Sequence, residues 1–573
     1  MAKKTFRVET VGQALLEILR ERGVDCVIGN AFTSIIDGFA KFDAEGKSTP
    51  RPVMAPHEQT AVAMAHGYYA VTGRPQVAIV YSTPGTANAA GAIINASRAR
   101  VPLIVLAARS ALTDDGSMRG ARDIHVQWAQ ESFDQAGMVR EFVKWDYELR
   151  QPAQLESVVD RALELALDEP SGPVYISLPR DVIAQPLPEI TITSPSRREV
   201  ASRRHPDPAR LEEAADILAR ARRPLIITSE LGRNIAAVAG LVELADAGAI
   251  EVVEASPAYA NFPAAHPCHA GYIFGSETHP AIAKADALLV IDCDVPWFPS
   301  RVEIRERIRV VHLATDPFFG RYPMHNFRCD VPIAADPAAT LPLLAEAVRR
   351  RARKADVKAR RQALAKRHKA MRAAWDKAAR AESERTPIGF QWASRCVAEL
   401  QGPDTIVVNE YPLDLRHAPP PAAGTYLGAS HAGGLGWGFG AALGAQLGAP
   451  ERTVIATLGD GSYIFSVPTA CHQVARAHQL PVLTVIFNNG AWDEVSNSTR
   501  NVHPDGWAVS TENFPMVSMG PPPRFEEIVR AFDGHGERVE KPEELPAALR
   551  RALDVVRKER RQALVNIVCR RQP

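Results

Sequence analysis

At 573 residues the chain is too long for one hydrophobic core, and we expect three domains of ordinary size. A hydrophobic content of 46% and a net charge of +1 are typical of a globular protein and give no overall bias toward nucleic acid or acidic partners. The seven cysteines are scattered and form no CxxC pair, so the sequence predicts neither a disulfide framework nor a zinc site.

The first residues, MAKKTFRVET, are polar and lack the apolar core of a signal peptide. No later apolar run approaches the length that spans a membrane. We therefore expect a cytoplasmic protein with no membrane partner.

The first domain begins with a predicted helix and a short strand. Val11–Arg22 has apolar residues at helical spacing, and Cys26-Val27-Ile28 predicts a buried strand that ends in Gly29-Asn30. A strand that ends in glycine and leads into a helix often lines a pocket. The alternative is an ordinary helix start in which Thr33 or Ser34 caps the first turn.

The segment HEQT at residues 57–60 leads into a helix rich in small residues. Glu58 stands at the start of this helix, where burying a carboxylate is costly unless a ligand needs it. The alternative is an ordinary first-turn glutamate, which the helix dipole favours. Taken alone, the residues favour the ordinary glutamate.

Val77–Tyr81 predicts the next strand, and the turn STPGTAN follows it at residues 82–88. Gln130, taken from the local pattern alone, is a solvated amide on a helix face. A helix over Ala153–Ala166 and a strand within residues 172–182 complete the alternation that is typical of a parallel α/β domain.

Residues 186–208 are rich in Pro, Ser and Arg and predict a linker. After this linker, apolar runs separated by helical stretches predict a second α/β domain, with strands at Pro224–Thr228, Ile250–Glu254, Ala287–Ile291 and Val310–Leu313. No GxGxxG segment follows a strand here, only Glu230-Leu231-Gly232-Arg233, so we expect no FAD.

Arg349–Arg385 is the most charged stretch of the chain. It is rich in alanine and free of helix breakers, so it predicts a helix. A basic helix can bind nucleic acid. Because the net charge of the chain is near zero, we favour a helix between domains with one solvated face, and we expect no nucleic-acid partner.

The last third of the chain contains two apolar runs, Val454–Leu458 and Pro481–Phe487, joined by a segment long enough for a crossover helix. The first run leads into GDGS at residues 459–462, and the second leads into Asn488-Asn489. In a right-handed βαβ unit both strand ends open on one edge of the sheet, where ligands bind.

Glycines that let the backbone approach a phosphate, together with a carboxylate and an amide oxygen, suit Mg²⁺ and a diphosphate. We therefore predict that Asp460, Asn489 and the carbonyl of Ala491 bind Mg²⁺. The residues predicted to hold the diphosphate are Gly459, Asp460, Gly461 and Ser462. The alternative is a tight turn after one strand and an Asn-Gly turn after the other.

GDGS followed by NN at this spacing resembles the diphosphate motif of thiamine diphosphate (ThDP) enzymes. HEQ at residues 57–59 and SHAGGLG at residues 430–436 resemble two further segments of these enzymes. Over nearly its whole length the chain resembles the superfamily of acetolactate synthase, benzoylformate decarboxylase and pyruvate decarboxylase, and it most resembles acetolactate synthase-like proteins. The resemblance implies ThDP and Mg²⁺ as cofactors.

The resemblance also implies an α/β fold with three doubly wound parallel-sheet domains. The pyrimidine-binding domain is expected over residues 1–190, the middle domain over 205–345 and the diphosphate-binding domain over 386–573. Residues 346–385 are expected to form a basic helical linker before the last domain.

In these enzymes a glutamate that matches Glu58 protonates the aminopyrimidine ring of ThDP. An apolar residue that matches Leu435 wedges between the two rings of the cofactor and forces its bent shape. The carbonyl that matches Gly433 binds the amino group, and Thr83 lies in the turn that covers the pyrimidine. The resemblance therefore gives Glu58 and Leu435 catalytic roles, and it places Glu58, Leu435, Thr83 and Gly433 at the cofactor.

For the substrate, the resemblance implies that Asn30, Thr33 and Trp492 line the pocket. Gln130 matches a glutamine that reaches toward substrate and cofactor in acetolactate synthases, so it is a further catalytic candidate. The sequence departs from benzoylformate decarboxylases at Tyr81, where those enzymes carry a catalytic histidine.

We expect a ThDP- and Mg²⁺-dependent carbon–carbon lyase or carboligase that decarboxylates a small 2-oxo acid through an enamine intermediate. The missing histidine favours an acetolactate synthase-like carboligase. The alternatives are a non-ligating, benzoylformate decarboxylase-like enzyme and a catalytically silent ThDP-binding homologue. The resemblance implies a homodimer or homotetramer with shared active sites, in which Glu58 meets the Asp460/Asn489 clamp across a subunit interface.

Overall fold

The structure is a computed structural model that describes residues 2–30, 32–194 and 201–571. The chain packs as two compact units. Unit 1 comprises residues 1–201, 429–539 and 550–573, and unit 2 comprises residues 202–428 and 540–549.

The first domain, within unit 1, alternates strands and helices as predicted. Its strands are β1 (Ala2–Arg7), β2 (Cys26–Gly29), β3 (Arg51–Met54), β4 (Val77–Val80), β5 (Ile104–Arg109), β6 (Asp146–Glu148), β7 (Val174–Pro179) and β8 (Glu189–Ser194). Its helices are α1 (Val11–Glu21), α2 (Thr33–Ala44), α3 (Glu58–Thr72), α4 (Ser82–Arg98), α5 (Val126–Ala129), α6 (Leu155–Leu167) and α7 (Arg180–Ile183).

The main sheet of this domain has the strand order β3-β2-β4-β5-β7-β6, and all of its ladders are parallel. The chain moves outward in both directions from the β2/β4 pair, so the sheet is doubly wound. Its topological switch point lies at the carboxyl ends of β2 and β4, where ligands bind in open α/β sheets.

One local prediction in this domain is wrong, and one alternative left open is excluded. Part of the predicted linker at residues 186–208 forms β8, which pairs antiparallel with β1; residues 195–200 of that prediction lie outside the described part. The alternation of Ile190 and Ile192 with polar residues drives this pairing, but Pro, Ser and Arg dominate the composition of the window. Phe32 precedes α2 without a side-chain cap, so Thr33 and Ser34 do not cap that helix.

The middle domain lies in unit 2 and has a second six-stranded parallel sheet, of order β11-β10-β9-β12-β13-β14. Its strands are β9 (Pro224–Thr228), β10 (Glu251–Ala255), β11 (His269–Ile273), β12 (Ala287–Ile291), β13 (Arg309–Ala314) and β14 (Val331–Ala334). Its helices are α8 (Pro208–Arg220), α9 (Ile235–Gly248), α10 (Pro280–Lys284) and α11 (Pro337–Arg351). The observed bounds of β9 and β12 are those the sequence predicts.

The basic stretch is helical, as predicted, but it is split between the end of α11 and a separate helix, α12 (Lys354–Ala381). Two of its arginines form ion pairs within unit 2. Arg361 contacts Asp246 at 3.3 Å, and Arg367 contacts Glu251 at 2.6 Å. The charge of this stretch is therefore partly neutralised by the middle domain.

The remaining elements follow α12 in the chain. The helices are α13 (Phe390–Ala398), α14 (Trp437–Gly448), α15 (Asp460–Phe465), α16 (Pro468–His478), α17 (Asp493–Val502), α18 (Trp507–Ser510), α19 (Phe525–Arg530) and α20 (Leu545–Asp554). The strands are β15 (Thr405–Glu410), β16 (Tyr426–Gly428), β17 (Thr453–Gly459), β18 (Val482–Asn488), β19 (His535–Val539) and β20 (Ala563–Val568). In unit 1, β17, β18, β20 and β19 run parallel in that order; in unit 2, β15 pairs in parallel with β16.

These layers confirm the predicted α/β class with parallel sheets flanked by helices. Among the described residues, no helix combines the length and the apolar character needed to cross a bilayer.

Helices α3 and α14 pack directly against each other in unit 1. Two glycines make this contact possible. A Cβ atom on Gly67 would overlap the carbonyl of Ala441, and one on Gly444 would overlap the carbonyl of Met64. The two backbones are therefore in contact, with no side chain between them.

We predict that Gly444→Ala destabilises the protein, because the added methyl group meets backbone atoms that cannot rotate away; overpacking of this kind costs about 1–3 kcal/mol. The measurement is the thermal unfolding midpoint, which should fall by about 2 °C or more. Gly91→Ala is the matched control, since this exposed glycine of α4 has no atom near a built Cβ. An equal midpoint for both variants would contradict the packing argument.

Candidate active site

Glu58 is the first residue of α3, and its side chain is half-buried. The helix starts here because His57 caps it: the Nδ1 atom of His57 accepts the backbone N–H of Gln59 at 3.2 Å. The glutamate therefore stands at the end of α3 whose N–H groups favour negative charge.

Two residues of α4 fix the Glu58 carboxylate. The Nδ2 atom of Asn88 donates to Oε2 at 3.1 Å. Gly85 lies against the other oxygen, because a Cβ atom built on this residue would be 2.6 Å from Oε1. A side chain at residue 85 would therefore displace the carboxylate.

Residues 430–436, which we call the Leu435 loop, lie against α3 and α4. The Nε2 atom of Gln59 donates to the carbonyl of Leu435 at 2.8 Å and to that of Phe465 at 3.1 Å. The side-chain amide of Asn95 donates to the carbonyl of Gly434 at 2.7 Å and accepts its N–H at 3.1 Å. Unit 1 of a single chain thus holds Glu58 and the Leu435 loop on neighbouring segments.

The backbone of the Leu435 loop turns through two glycines. Gly433 has a φ of +68° and Gly436 a φ of +86°, in the region that favours glycine. Gly433 is exposed and Leu435 is half-buried, while Gly436 is buried where α14 begins. Gly433 is therefore accessible to solvent, and it directly precedes Gly434 and Leu435, whose carbonyls accept the hydrogen bonds of Asn95 and Gln59.

Asp460 follows β17 and has only 4% of its surface exposed. Its Oδ1 atom accepts the N–H of Gly461 at 2.8 Å, and its Oδ2 atom accepts the N–H of Gly490 at 2.7 Å. Burial raises the pKa of Asp460 to about 6, although the backbone N–H groups act in the opposite direction. The second hydrogen bond joins the loops after β17 and β18.

The two neighbouring asparagines have different surroundings. Asn488 is fully buried, and its Nδ2 atom donates to the carbonyl of Pro523 at 2.9 Å and to Asn566 at 3.0 Å. Asn489 is half-buried; its Nδ2 atom donates to Asp493 at 2.7 Å, and its Oδ1 atom accepts the N–H of Ala491 at 3.0 Å. Asn489, the predicted ligand, is therefore the more accessible of the two.

Trp492 covers the loop after β17. A Cβ atom on Gly461 would overlap the six-membered ring of the indole, so only glycine fits beneath it. Trp492 also meets Phe465 edge-on, with ring centroids 5.7 Å apart. Residue 492 is thus part of the wall around Asp460, Gly461 and Ser462.

The residues after β17 and β18 fit a hard divalent cation that carries a diphosphate. The two Asp460 oxygens accept the N–H groups of Gly461 and Gly490, and a carboxylate oxygen can bind a cation in addition to accepting a hydrogen bond. A Cβ atom on Gly459 would have only Ser462 Oγ within 4 Å, at 3.8 Å, so there is open space beside the backbone. The oxygen donors suit Mg²⁺, and the open glycine allows a phosphate to approach.

A small cavity of about 30 Å³ lies at the switch point of the first sheet. Thr33 and Gln130, two of the residues predicted to face the substrate, both line it. The lining also includes Tyr81, Ser82, Arg109 and Ser110. Three lining atoms, Ser82 Oγ, Ser110 Oγ and Arg109 Nε, are buried without a hydrogen-bond partner in the described part of the chain. Unpaired buried polar atoms of this kind call for a ligand or water.

Three further residues named in the sequence analysis do not line this cavity. Asn30 is exposed after β2 and is not among the residues that line the cavity. Thr83 is half-buried, with its Oγ1 atom 3.2 Å from Ser132 Oγ. Gly232, in the segment considered for a dinucleotide, donates its N–H to Asn261 at 2.8 Å within the middle domain.

Sequence reasoning missed several residues of the site. It gave no role to Asn88 or Asn95, although two asparagines seven residues apart on an alanine-rich helix lie on one face. It also did not single out Ser82 and Ser110. These two residues stand out because their buried hydroxyls lack hydrogen-bond partners among the residues that the structure describes, and a local sequence pattern cannot reveal that.

A glutamate at a helix start, next to the glutamine that holds a glycine-rich loop, together with an aspartate and an asparagine that follow two adjacent parallel strands, is the arrangement expected of thiamine diphosphate enzymes. Family models of the thiamine pyrophosphate enzymes match three parts of the chain: the N-terminal TPP binding domain at residues 9–138, the central domain at 211–344 and the C-terminal TPP binding domain at 414–567. The chain belongs to the thiamine pyrophosphate enzyme family.

Relatives in this family carry different activities. The chain is 28% identical to a benzoylformate decarboxylase of Pseudomonas aeruginosa, over 85% of this chain and 87% of that protein. It is also 28% identical to an acetolactate synthase large subunit of Mycobacterium tuberculosis, over 96% and 95%. A solved benzoylformate decarboxylase of Polynucleobacter necessarius has the same fold, with a TM-score of 0.78 at 20% identity and 99% coverage of both chains.

We predict that Gln59→Met weakens ThDP binding about tenfold in the presence of Mg²⁺. The variant keeps the length of the side chain but loses the donor that holds Leu435 and Phe465, and each such hydrogen bond contributes about 0.5–1.5 kcal/mol. Titration calorimetry of the apoprotein measures the affinity. Gln151→Met, at an exposed position, is the control. Unchanged affinity in Gln59→Met would mean that the Leu435 loop does not need this contact.

Proposed function

We propose that the protein decarboxylates a small 2-oxo acid and joins the remaining carbon unit to a second carbonyl compound, as a ThDP- and Mg²⁺-dependent, acetolactate synthase-like carboligase. The observation that carries this proposal is the shared cavity of Thr33 and Gln130 at the switch point of the first sheet. Gln130 is the residue that matches the acetolactate synthase pattern. The cavity is also lined by Ser82, the first residue of α4, and Gly85 of the same helix packs against Glu58.

Asp460, Asn489 and the carbonyl of Ala491 would bind Mg²⁺, and Gly459, Gly461 and Ser462 would hold the diphosphate. When bound, ThDP supplies a nucleophilic carbon and accepts the electrons that carbon dioxide leaves behind. The carbonyl of Gly433 and the side chain of Leu435 would contact the two rings and fix their relative orientation.

Glu58 would hold a proton against the aminopyrimidine ring. Its carboxylate is suited to this because Asn88 binds one oxygen and Gly85 packs against the other. A carboxyl group that is fixed at one position loses less entropy when it forms a hydrogen bond to the ring. Asn88 is therefore a positioning residue for the proposed proton transfer.

The substrate oxygens would enter the cavity near Ser82, Ser110 and Arg109. Arg109 Nε and the two hydroxyls are donors that have no partner among the described residues. Because the cavity of about 30 Å³ accepts only a carboxylate-sized group, the remainder of the substrate would lie outside it, beside the exposed side chains of Tyr81 and Thr33.

The outcome of the reaction depends on whether a proton or a second carbonyl compound arrives first. The cavity lining has no histidine among the described residues, and Tyr81 occupies the position where benzoylformate decarboxylases carry one. Slow protonation leaves time for the second carbonyl compound, which supports the carboligase. Gln130 would then orient this acceptor.

A non-ligating 2-oxo acid decarboxylase is the second candidate. It is supported by the benzoylformate decarboxylase relative, which is as similar in identity as the acetolactate synthase relative. A catalytically silent ThDP-binding protein is the third. The presence of Glu58, Leu435, Asp460 and Asn489 in one chain speaks against it.

A homodimer or homotetramer with shared sites remains part of the proposal. Exposed apolar side chains near the candidate site, such as Trp128 and Phe133, would be covered in an assembly. Glu58 and the Leu435 loop already lie in one unit of a single chain. Sedimentation of the apoprotein and the ThDP-loaded protein would determine whether assembly requires the cofactor.

We predict that Glu58→Gln lowers kcat with pyruvate or another 2-oxo acid by about 10²-fold or more, the range for a lost proton-transfer group. ThDP binding should change by no more than a few-fold, because the amide keeps the shape of the side chain. The matched control is Glu243→Gln, at an exposed glutamate of α9. If the wild type and Glu58→Gln both bind ThDP and both lack activity on aliphatic and aromatic 2-oxo acids, the silent homologue is favoured.

We predict that pyruvate with ThDP and Mg²⁺ yields carbon dioxide and acetolactate, and that Gln130→Ala shifts the product toward acetaldehyde by about threefold or more. Chromatography of the products measures the ratio, with Gln151→Ala as the control. Acetaldehyde as the sole product of the wild type would favour the decarboxylase. Carbon dioxide from benzoylformate but not from pyruvate would favour it too and would point to aromatic substrates.

A further inference from the structure

Unit 2 contains a cavity of about 300 Å³ to which no residue of the candidate active site contributes. This volume is at the lower end of the range for small-molecule sites. The polar side chains in its wall are Arg372 and Asp376 of α12, Arg395 of α13, Gln401, Arg416 and His417. Three arginines thus face a cavity whose wall contains a single carboxylate.

Arg416 is the arginine of this cavity that forms close ion pairs with carboxylates. Its Nε atom lies 3.0 Å from Asp414, and its Nη1 atom lies 3.3 Å from Glu277. Burial lowers the pKa of His417 next to it, although Asp414 acts in the opposite direction. On the side of the cavity formed by these two residues, the positive charge is therefore balanced by neighbouring carboxylates.

Arg395 has carboxylates nearby but forms no close ion pair with them. Its Nε atom is 3.6 Å from Asp376, and its Nη1 atom is 3.6 Å from Glu399, both beyond hydrogen-bond distance. The other oxygen of Asp376 already accepts a hydrogen bond from Arg380 at 2.9 Å. Arg395 therefore retains donors for a further partner.

Arg372 provides the strongest evidence that this cavity binds a ligand. Its Nη1 atom is buried and has no hydrogen-bond partner among the described residues. Its guanidinium lies 5.6 Å from the ring centre of Trp375, which fixes its direction. A buried guanidinium N–H without an acceptor is unfavourable, and acceptor oxygens in the cavity would remove that penalty.

We propose that this cavity binds the phosphate group of a small phosphorylated metabolite. Arg372 and Arg395 donate to its oxygens, since the planar guanidinium matches phosphate with two parallel hydrogen bonds. Gln401 adds a neutral donor. The bound group connects α12, α13 and the segment that follows α13, so its binding stabilises unit 2.

Titration calorimetry of the full-length apoprotein with inorganic phosphate tests this site, in EDTA so that no divalent cation supports the cofactor site. The expected result is millimolar or tighter binding, weakened at least tenfold by Arg372→Gln and by Arg395→Gln. Arg349→Gln, at an exposed arginine paired with Glu346, should bind as the wild type does. Asp460→Ala should also keep full affinity, which separates this site from the diphosphate clamp.

Absence of binding up to about 10 mM phosphate would overturn the proposal. So would equal affinities in the wild type, Arg372→Gln and Arg395→Gln. If Arg372→Gln does not fold, Arg395→Gln alone decides the outcome. Citrate is titrated in parallel: binding of citrate without binding of phosphate, lost in the same variants, would replace the phosphate assignment with a carboxylate.

Discussion

The direct contact between α3 and α14 is the constraint on which the rest of the candidate site depends. Gly67 and Gly444 allow the two backbones to touch, and this brings Gln59, one residue beyond the catalytic candidate, against the carbonyl of Leu435. Because two rigid helices carry the two segments, their separation is set by packing in the interior. The carboxylate of Glu58 and the Leu435 loop therefore have a fixed relation before any ligand arrives.

The second part of the candidate site depends on the buried carboxylate of Asp460 and its hydrogen bonds. Asp460 is almost completely removed from solvent, and the N–H groups that it accepts come from the ends of two neighbouring strands. A carboxylate in such a place is stable when hydrogen-bonded and is further stabilised by a cation. Trp492 lies across Gly461, the residue that follows this aspartate.

Much of this arrangement could be predicted from the sequence. Continuous apolar runs gave the bounds of β9 and β12, and GDGS and NN were found after the strands that bring them together. The pairing of β8 with β1 was hidden by a linker-like composition. Asn88, Asn95 and the polar cavity beneath Ser82 could not be predicted, because each is defined by a partner, present or missing, that is distant in the chain.

Unit 1 joins two parts of the chain that are separated by the whole of residues 202–428. At typical rates of translation, the second part leaves the ribosome roughly 10 to 45 seconds after the first. During that interval α3 is present without α14, and the small-residue face around Gly67 has nothing to pack against. The nascent chain therefore exposes an incomplete interface for far longer than a helix needs to form, and its yield in a cell should depend on how well chaperones cover that face.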